Sequence, residues 1–250
     1  MKRGYGEDLA YIHDTGHGDF ARHAAPAILK TLRRAAIRGG LIVDLGCGSG
    51  IFARAMTEAG YEVLGIDQSD EMLRIAGRRA PRARFRHGSY LNVALPRCAA
   101  VTALGECFNY LFDDANTLRA LSRLFRRIHD ALEPGGLFIF DVATPGRGGG
   151  PGKRQKNVHG RDWAILLETE EDPRRRTLTR RIVSFRKVGD LYRRSEEVHR
   201  LRLYRPDDIV AELRRAGFGV RRLRGYGRVR LPSGWVAMVA RKPRRGDRTC

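Results

Sequence analysis

Two short stretches hold the residues best suited to chemistry. Gly46-Cys47-Gly48-Ser49-Gly50 follows the apolar run Leu41-Ile42-Val43-Asp44-Leu45 and precedes a helical pattern that places Ile51, Ala55, Met56 and Ala59 on one face. Glycines at a strand-to-helix junction let the backbone approach a ligand, and the helix N-terminus offers unpaired N–H groups, so a nucleotide-like cofactor belongs here. Asp67 closes the next run, Glu62-Val63-Leu64-Gly65-Ile66-Asp67, where a strand-end carboxylate can accept both hydroxyls of a ribose. The dinucleotide fingerprint would need glycine at Ile51, and no G-x-x-x-x-G-K-[ST] is present, which argues against NAD, FAD and P-loop nucleotides.

The elements that must carry these residues alternate along the chain. A helical pattern over Asp19 to Ile37 ends at Gly39-Gly40, and Ser69 caps a helix with Met72, Leu73 and Ala76 on one face. Strands are expected over 83–87, 99–104 and 137–141, the last after a Pro134-Gly135-Gly136 turn, with a helix over 118–132 before it. Nearly continuous apolar strands interleaved with helices predict a parallel sheet covered on both faces. The glycine-rich stretch 144–160 reads as a loop. Three antiparallel strands follow, over 163–170, 177–188 and 191–204, with Val188-Gly189-Asp190-Leu191 as a hairpin turn. A helix from Pro206 and two last strands, 218–226 and 235–240, complete the chain.

The 250 residues suffice for one core with an elaboration, and a mean hydropathy of -0.42 without a long apolar run predicts a soluble chain with no membrane partner. The basic start at Lys2-Arg3 has no apolar stretch behind it, so no secretory signal is expected and the cytoplasm is the expected compartment. Cys47, Cys98, Cys107 and Cys250 form no C-x-x-C pair and read as reduced thiols, with no metal site. The net charge of +20 is uneven: residues 1–150 carry 20 basic and 16 acidic side chains, residues 151–250 carry 28 and 12. Such asymmetry keeps a nucleic-acid partner in view. Only 6 of the 48 basic residues are lysines, however, and the Arg pairs 174–176, 193–194, 214–215 and 221–222 read as solvated faces rather than one phosphate track.

Val43-Asp44-Leu45-Gly46-Cys47-Gly48-Ser49-Gly50, Gly65-Ile66-Asp67-Gln68-Ser69 and Leu132-Glu133-Pro134-Gly135-Gly136 together resemble a class I S-adenosylmethionine-dependent methyltransferase of the small-molecule type, over roughly residues 40–241. The resemblance implies an α/β, Rossmann-like seven-stranded sheet with its seventh strand antiparallel, helices on both faces, and the three-stranded insert, about 161–204, after strand five. It divides the chain into an N-terminal helical lid segment, 1–40, and a methyltransferase domain, 41–250. It also implies that S-adenosylmethionine is the cofactor and S-adenosylhomocysteine its product. Asp44 and the loop glycines Gly46, Gly48 and Gly50 would hold the methionine portion and Asp67 the ribose, with Cys47 and Gln68 also among the cofactor contacts. Met72 would pack on adenine or simply in the helix core. Gly88-Ser89 stands where the family often has Gly-Asp, so Ser89 is the expected adenine contact, and Tyr90 stacks there or belongs to the core. Leu104-Gly105, after strand four, completes the expected cofactor contacts.

The segment Gly105-Glu106-Cys107-Phe108-Asn109-Tyr110 is not the N/D-P-P-Y of base-amino methylating enzymes, and Cys98 follows Arg97 rather than a proline. Methyl transfer to a nitrogen or oxygen of a small molecule is therefore the leading expectation. An RNA or protein methyltransferase using the Arg-rich part, and a non-catalytic cofactor-binding protein, are the alternatives; a monomer or homodimer is expected. Displacement at a sulfonium chiefly needs alignment of the acceptor lone pair, and a base enters only to remove an acceptor proton. Glu106 is the first candidate because it lies at the carboxyl edge of strand four; His13, His17 and His199 follow. Tyr5, Tyr11, His13, His17 and Phe20 form an aromatic segment that closes over the cofactor, with Tyr11 touching it, or merely packs on the sheet.

Overall fold

The computed structural model describes residues 5–16, 18–150, 152–244 and 246. Strands β1 (Leu41–Leu45), β2 (Glu62–Asp67), β3 (Arg84–His87), β4 (Cys98–Ala103), β5 (Leu132–Ala143), β10 (Gly219–Leu223) and β13 (Trp235–Arg241) form one sheet in the order β10-β13-β5-β4-β1-β2-β3. β13 is antiparallel to both neighbours, and the other pairings are parallel. The chain steps outward from β1 through β2 to β3, then returns to place β4 on the other side of β1. That reversal opens a crevice at the carboxyl ends of β1 and β4, the usual place for a ligand in such sheets.

The sheet is buried on both faces because its central strands are apolar at consecutive positions. In β5, Phe138 and Phe140 pack with Phe108 and with Leu124, Phe125 and Ile128 of α5 (Leu118–Ala131), while Leu137 and Ile139 pack on the other face. That second face is covered by Ile28 and Leu32 of α2 (Asp19–Arg34) and by Phe52 and Met56 of α3 (Ile51–Glu58). Side chains of period 2 in the strand and 3.6 in the helices meet there. α4 (Asp70–Arg79) starts where Ser69 Oγ accepts the Met72 amide at 3.2 Å, with Asp70 and Glu71 in its first turn, as the cap and macrodipole favour. α6 (Pro206–Arg215) opens on its proline.

The structure corrects two readings of the sequence, the extent of the insert and the turn before β5, and adds where the first helix packs. The insert has four strands, not three, and begins earlier: β6 (Gly152–His159), β7 (Trp163–Asp172), β8 (Thr177–Val188) and β9 (Leu191–Arg202) pair in that order, all antiparallel. β6 is an edge strand of almost wholly exposed polar residues, held by its backbone ladder to β7, so it carries no apolar alternation to read. Residues 7–16 form a helix, α1 (Glu7–Gly16), whose only large buried side chains are Leu9 and Ile12; they pack on Trp163, Ile165 and Ile182 of the insert. The Pro134-Gly135-Gly136 turn is absorbed as an irregularity within β5, between the pairings Cys98–Leu132 and Ala100–Leu137. A small hairpin, β11 (Gly225–Tyr226) with β12 (Val229–Arg230), joins β10 to β13. Of the expected segment 1–40, α1 packs on the insert and α2 on the central core.

Candidate functional site

A cavity of about 830 Å³ extends from the carboxyl edge of β1, β2 and β4 to the inner face of the insert. Local structure shows why the motif residues reach it. Asp44 is the penultimate residue of β1, buried like Leu45 after it, and pairs in register with Thr102 of β4. The loop then turns away, its Gly46 and Cys47 amides both donating to the Ile66 carbonyl at 2.7 and 3.1 Å, which docks it against the end of β2. The motif glycines divide by role. A Cβ on Gly46 would meet Cys107 Sγ at 2.6 Å and one on Gly50 would meet Ala76 Cβ at 2.9 Å, so both serve close packing. At Gly48, Gly88 and Gly105 a Cβ would meet nothing within 4 Å, and all three face the cavity.

The expected cofactor residues Asp44, Gly46, Cys47, Gly48, Asp67, Gln68, Met72, Gly88, Tyr90, Leu104 and Gly105 all line this one cavity. Three do not. Gly50 begins α3 against Ala76. Ser89 donates its hydroxyl to Asp113 at 2.7 Å and accepts the Leu91 amide, so its polar capacity is spent locally. Tyr11 points to the insert, donating to Asp162 at 2.6 Å under the Arg186 guanidinium, because α1 turns that flank toward the sheet. Glu106, His13 and His199 line the cavity too, whereas His17 lies outside the described residues.

Two buried carboxylates dominate the electrostatics at the loop end. Asp44 is 2% exposed; loss of water pushes its carboxyl up to about 7, against the Thr102 hydroxyl donating at 2.7 Å and with the Asp67 charge adding to the rise. Asp67 is also raised by burial, opposed by the Ser69 and Gly48 amides, each 2.9 Å from one of its oxygens. Two desolvated acids beside open glycine backbone suit a ligand that brings cationic groups and hydroxyls, and S-adenosylmethionine carries both. Among the described residues no cluster of three His, Cys, Asp or Glu side chains is placed to hold a metal.

The opposite end is built by β4's exit loop and the insert. Glu106 is 3% exposed and sits in the left-handed region at φ 63°, held there by Asp141, whose carboxylate accepts the Gly105 and Glu106 amides. Asp141 also accepts from Tyr226 at 3.0 Å and Trp235 at 2.7 Å, and its burial lifts it to about 6. Burial would raise Glu106 as well, but Arg180, at 2.8 Å, and Arg147 outweigh it and hold the carboxyl below the ordinary glutamate range. Arg180 also donates to the Tyr110 hydroxyl, which lies 3.2 Å from the Tyr5 hydroxyl. Tyr5, Tyr110 and Phe112 surround the His199 ring with centroid distances of 4.9–5.8 Å.

Sequence reasoning missed Asp141, Arg147 and Arg180. Asp141 ends an apolar run as Asp67 does, which was the available signal. Arg180 interrupts the inward face of β8, between Leu178 and Ile182, and a charge at a core-facing position is informative. Arg147 lies in the glycine-rich stretch after β5 and had no signal.

Residues 42–136 match the profile of a methyltransferase domain. A putative methyltransferase of Geobacillus sp. (strain WCH70) is 26% identical over 195 residues, 72% of this chain and 74% of the relative. A dTDP-3-amino-3,4,6-trideoxy-alpha-D-glucopyranose N,N-dimethyltransferase of Streptomyces venezuelae is 26% identical over 87% of this chain and 90% of its own. Several further relatives match over less than half of their own length. Among solved structures, a S-adenosylmethionine-dependent methyltransferase from Clostridium acetobutylicum superposes with a TM-score of 0.80 at 18% identity, covering 94% of this chain and 98% of that one, which shows the shared fold.

Proposed function

We propose that this chain, a class I S-adenosylmethionine-dependent methyltransferase, transfers the methyl group to a nitrogen or oxygen of a small-molecule acceptor. The observation that carries the reading is the single cavity, in which the glycine loop and its two carboxylates continue without a break into a chamber walled by the insert. Gly48, Asp44 and Asp67 would hold the methionine and ribose portions, and Met72, 2% exposed on α4, would pack on adenine. The cofactor supplies an electrophilic methyl on a sulfonium. The protein's own work is to orient the acceptor and keep water out, and orientation alone supplies about 7–11 kcal/mol. Ile165, Leu167 and Ile182 of the insert make that chamber apolar, while Arg154 and Lys156 on β6 make its mouth positive. A positive mouth suits an acceptor with a phosphorylated carrier, such as the dTDP-amino sugar acted on by the Streptomyces relative.

The Arg-rich C-terminal part offers an RNA-binding alternative little support. Arg175, Arg176, Arg193, Arg194, Arg215 and Arg222 pair with Asp172, Asp208, Asp8, Glu196, Glu212 and Asp207 in turn. Among the described residues no helix is long and apolar enough to cross a membrane. The test is transfer of labelled methyl to a panel of amino sugars, amines, hydroxyl compounds and total RNA. Label is expected in a small molecule; label confined to RNA or protein overturns the reading.

Asp44 gives this proposal a pH signature. Its proton is held more tightly in the folded chain than the ordinary 3.8, so without ligand the folded state loses stability as pH rises from that value to about 7. A cationic ligand needs the ionised form, so cofactor affinity should weaken by up to about tenfold per pH unit below ~7. Calorimetric titration between pH 5 and 9 checks this, and Asp44→Asn should bind weakly at every pH with that slope removed.

A further inference from the structure

Glu197 lies on β9, two residues before His199, with its side chain 16% exposed and that of His199 3%. One carboxylate oxygen is 2.8 Å from His199 Nε2, and the other accepts the Gly6 amide at 2.9 Å. The acid is therefore fixed at both oxygens, on one side by the residue that leads into α1. A carboxylate only accepts, so Nε2 carries the hydrogen, and in the neutral ring Nδ1 is left as the acceptor. No described residue bonds to Nδ1. The ring lines the cavity between Tyr5, Tyr110 and Phe112, which fix its plane by edge-on contacts. The charged and titratable groups that face it are Glu197 on its own strand, Tyr5, itself packed on His13, from the N-terminal side, and Tyr110 with Arg180 behind it.

We propose that His199 Nδ1 takes the proton from the acceptor nitrogen or oxygen, and that Glu197 is the positioning residue that fixes its tautomer and offsets the charge it gains. This rests on the function proposed above. The acceptor's N–H or O–H bond breaks toward Nδ1, its electron pair forms the new bond to the methyl carbon, and the carbon–sulfur pair stays on sulfur. The ring later returns the proton to solvent. The tightly ion-paired Glu106 is the poorer base, since a carboxylate held ionised by two guanidinium groups gives up little by staying so.

The experiment is steady-state kinetics of His199→Asn, Glu197→Gln and the double variant on an acceptor the wild type methylates, with cofactor affinity and melting temperature measured alongside. His199→Asn should lower kcat about 100-fold and Glu197→Gln about 10-fold, with cofactor affinity within about twofold of wild type. The double variant should be no slower than His199→Asn, because the two act as a unit. The deficit should shrink toward pH ~10, where an amine acceptor loses its proton unaided. Should His199→Asn unfold, His199→Gln and Glu197→Gln carry the same comparison. Equal kcat in His199→Asn and wild type, a deficit that does not change with pH, or additive losses in the double variant overturns the assignment. A wild type that binds cofactor but methylates nothing overturns the proposed function itself, and this assignment with it.

Discussion

Asp67→Ala is expected to weaken S-adenosylmethionine binding about 100-fold while leaving the chain folded. The Asp67 oxygens accept the Gly48 and Ser69 amides, each at 2.9 Å, so the carboxylate is aimed before any ligand arrives. Its remaining lone pairs face the cavity, where two ribose hydroxyls can donate to them. Hydrogen bonds to a charged group contribute about 1.5–3 kcal/mol each, and losing about 3 kcal/mol corresponds to roughly two decades in affinity. The acid is also desolvated, and burial raises it, so folding gains little from its charge. Melting without cofactor should therefore change far less than binding. Asp67→Asn, which keeps one acceptor, should fall between alanine and wild type. Titration calorimetry on the three proteins checks the order, and wild-type affinity in Asp67→Ala would refute the ribose assignment.

Glu106→Gln should be the most destabilising single change in the site. The carboxylate is 3% exposed and is the shared counter-charge of Arg147 and Arg180, whose side chains are 21% and 15% exposed. Neutralising it leaves two guanidinium groups without their shared counter-charge in a poorly solvated cavity. Removing one partner of a buried ion pair costs about 3–5 kcal/mol, which for a chain of this size lowers the melting temperature by roughly 6–20 °C. The sign of the pH effect follows from the same contacts. The folded carboxyl lies below the ordinary glutamate range, so its stabilisation is present above that range and is lost as the pH falls from it through the lower folded value. Glu106→Gln combined with Arg180→Gln should recover part of the loss. Thermal melts of both variants at pH 7 decide the matter, because a purely catalytic Glu106 would leave the melting temperature unchanged while kcat fell.

The glycine loop and Asp67, which line the cavity, were legible because their signal is local. A strand, a glycine-rich turn, a helix start and a strand-end acid follow one another within 27 residues, from Leu41 to Asp67, and each step leaves a mark in residue type. The same locality made the order of β1 to β5 readable, since each buried strand is an apolar run and each helix an apolar stripe. Ser89 shows where locality misleads: its position after β3 is right for a ligand contact, but Asp113, 24 residues away, takes its hydroxyl. Tyr11 failed likewise, because its partner is Asp162 on the insert.

Thus, while the seven-stranded order followed from the family resemblance, short-range spacing made the alternation of strands and helices and the glycine loop with its strand-end acid readable in the sequence. Only the tertiary structure decided which side chains face them across the cavity. β6 forms through a backbone ladder that demands no particular side chains, Glu106 is paired by guanidinium groups 41 and 74 residues further on, and His199 is oriented from an amide 193 residues before it through Glu197. Buried charges are settled by whichever partner the completed fold brings within hydrogen-bond reach, and that choice is made by packing rather than by sequence neighbours.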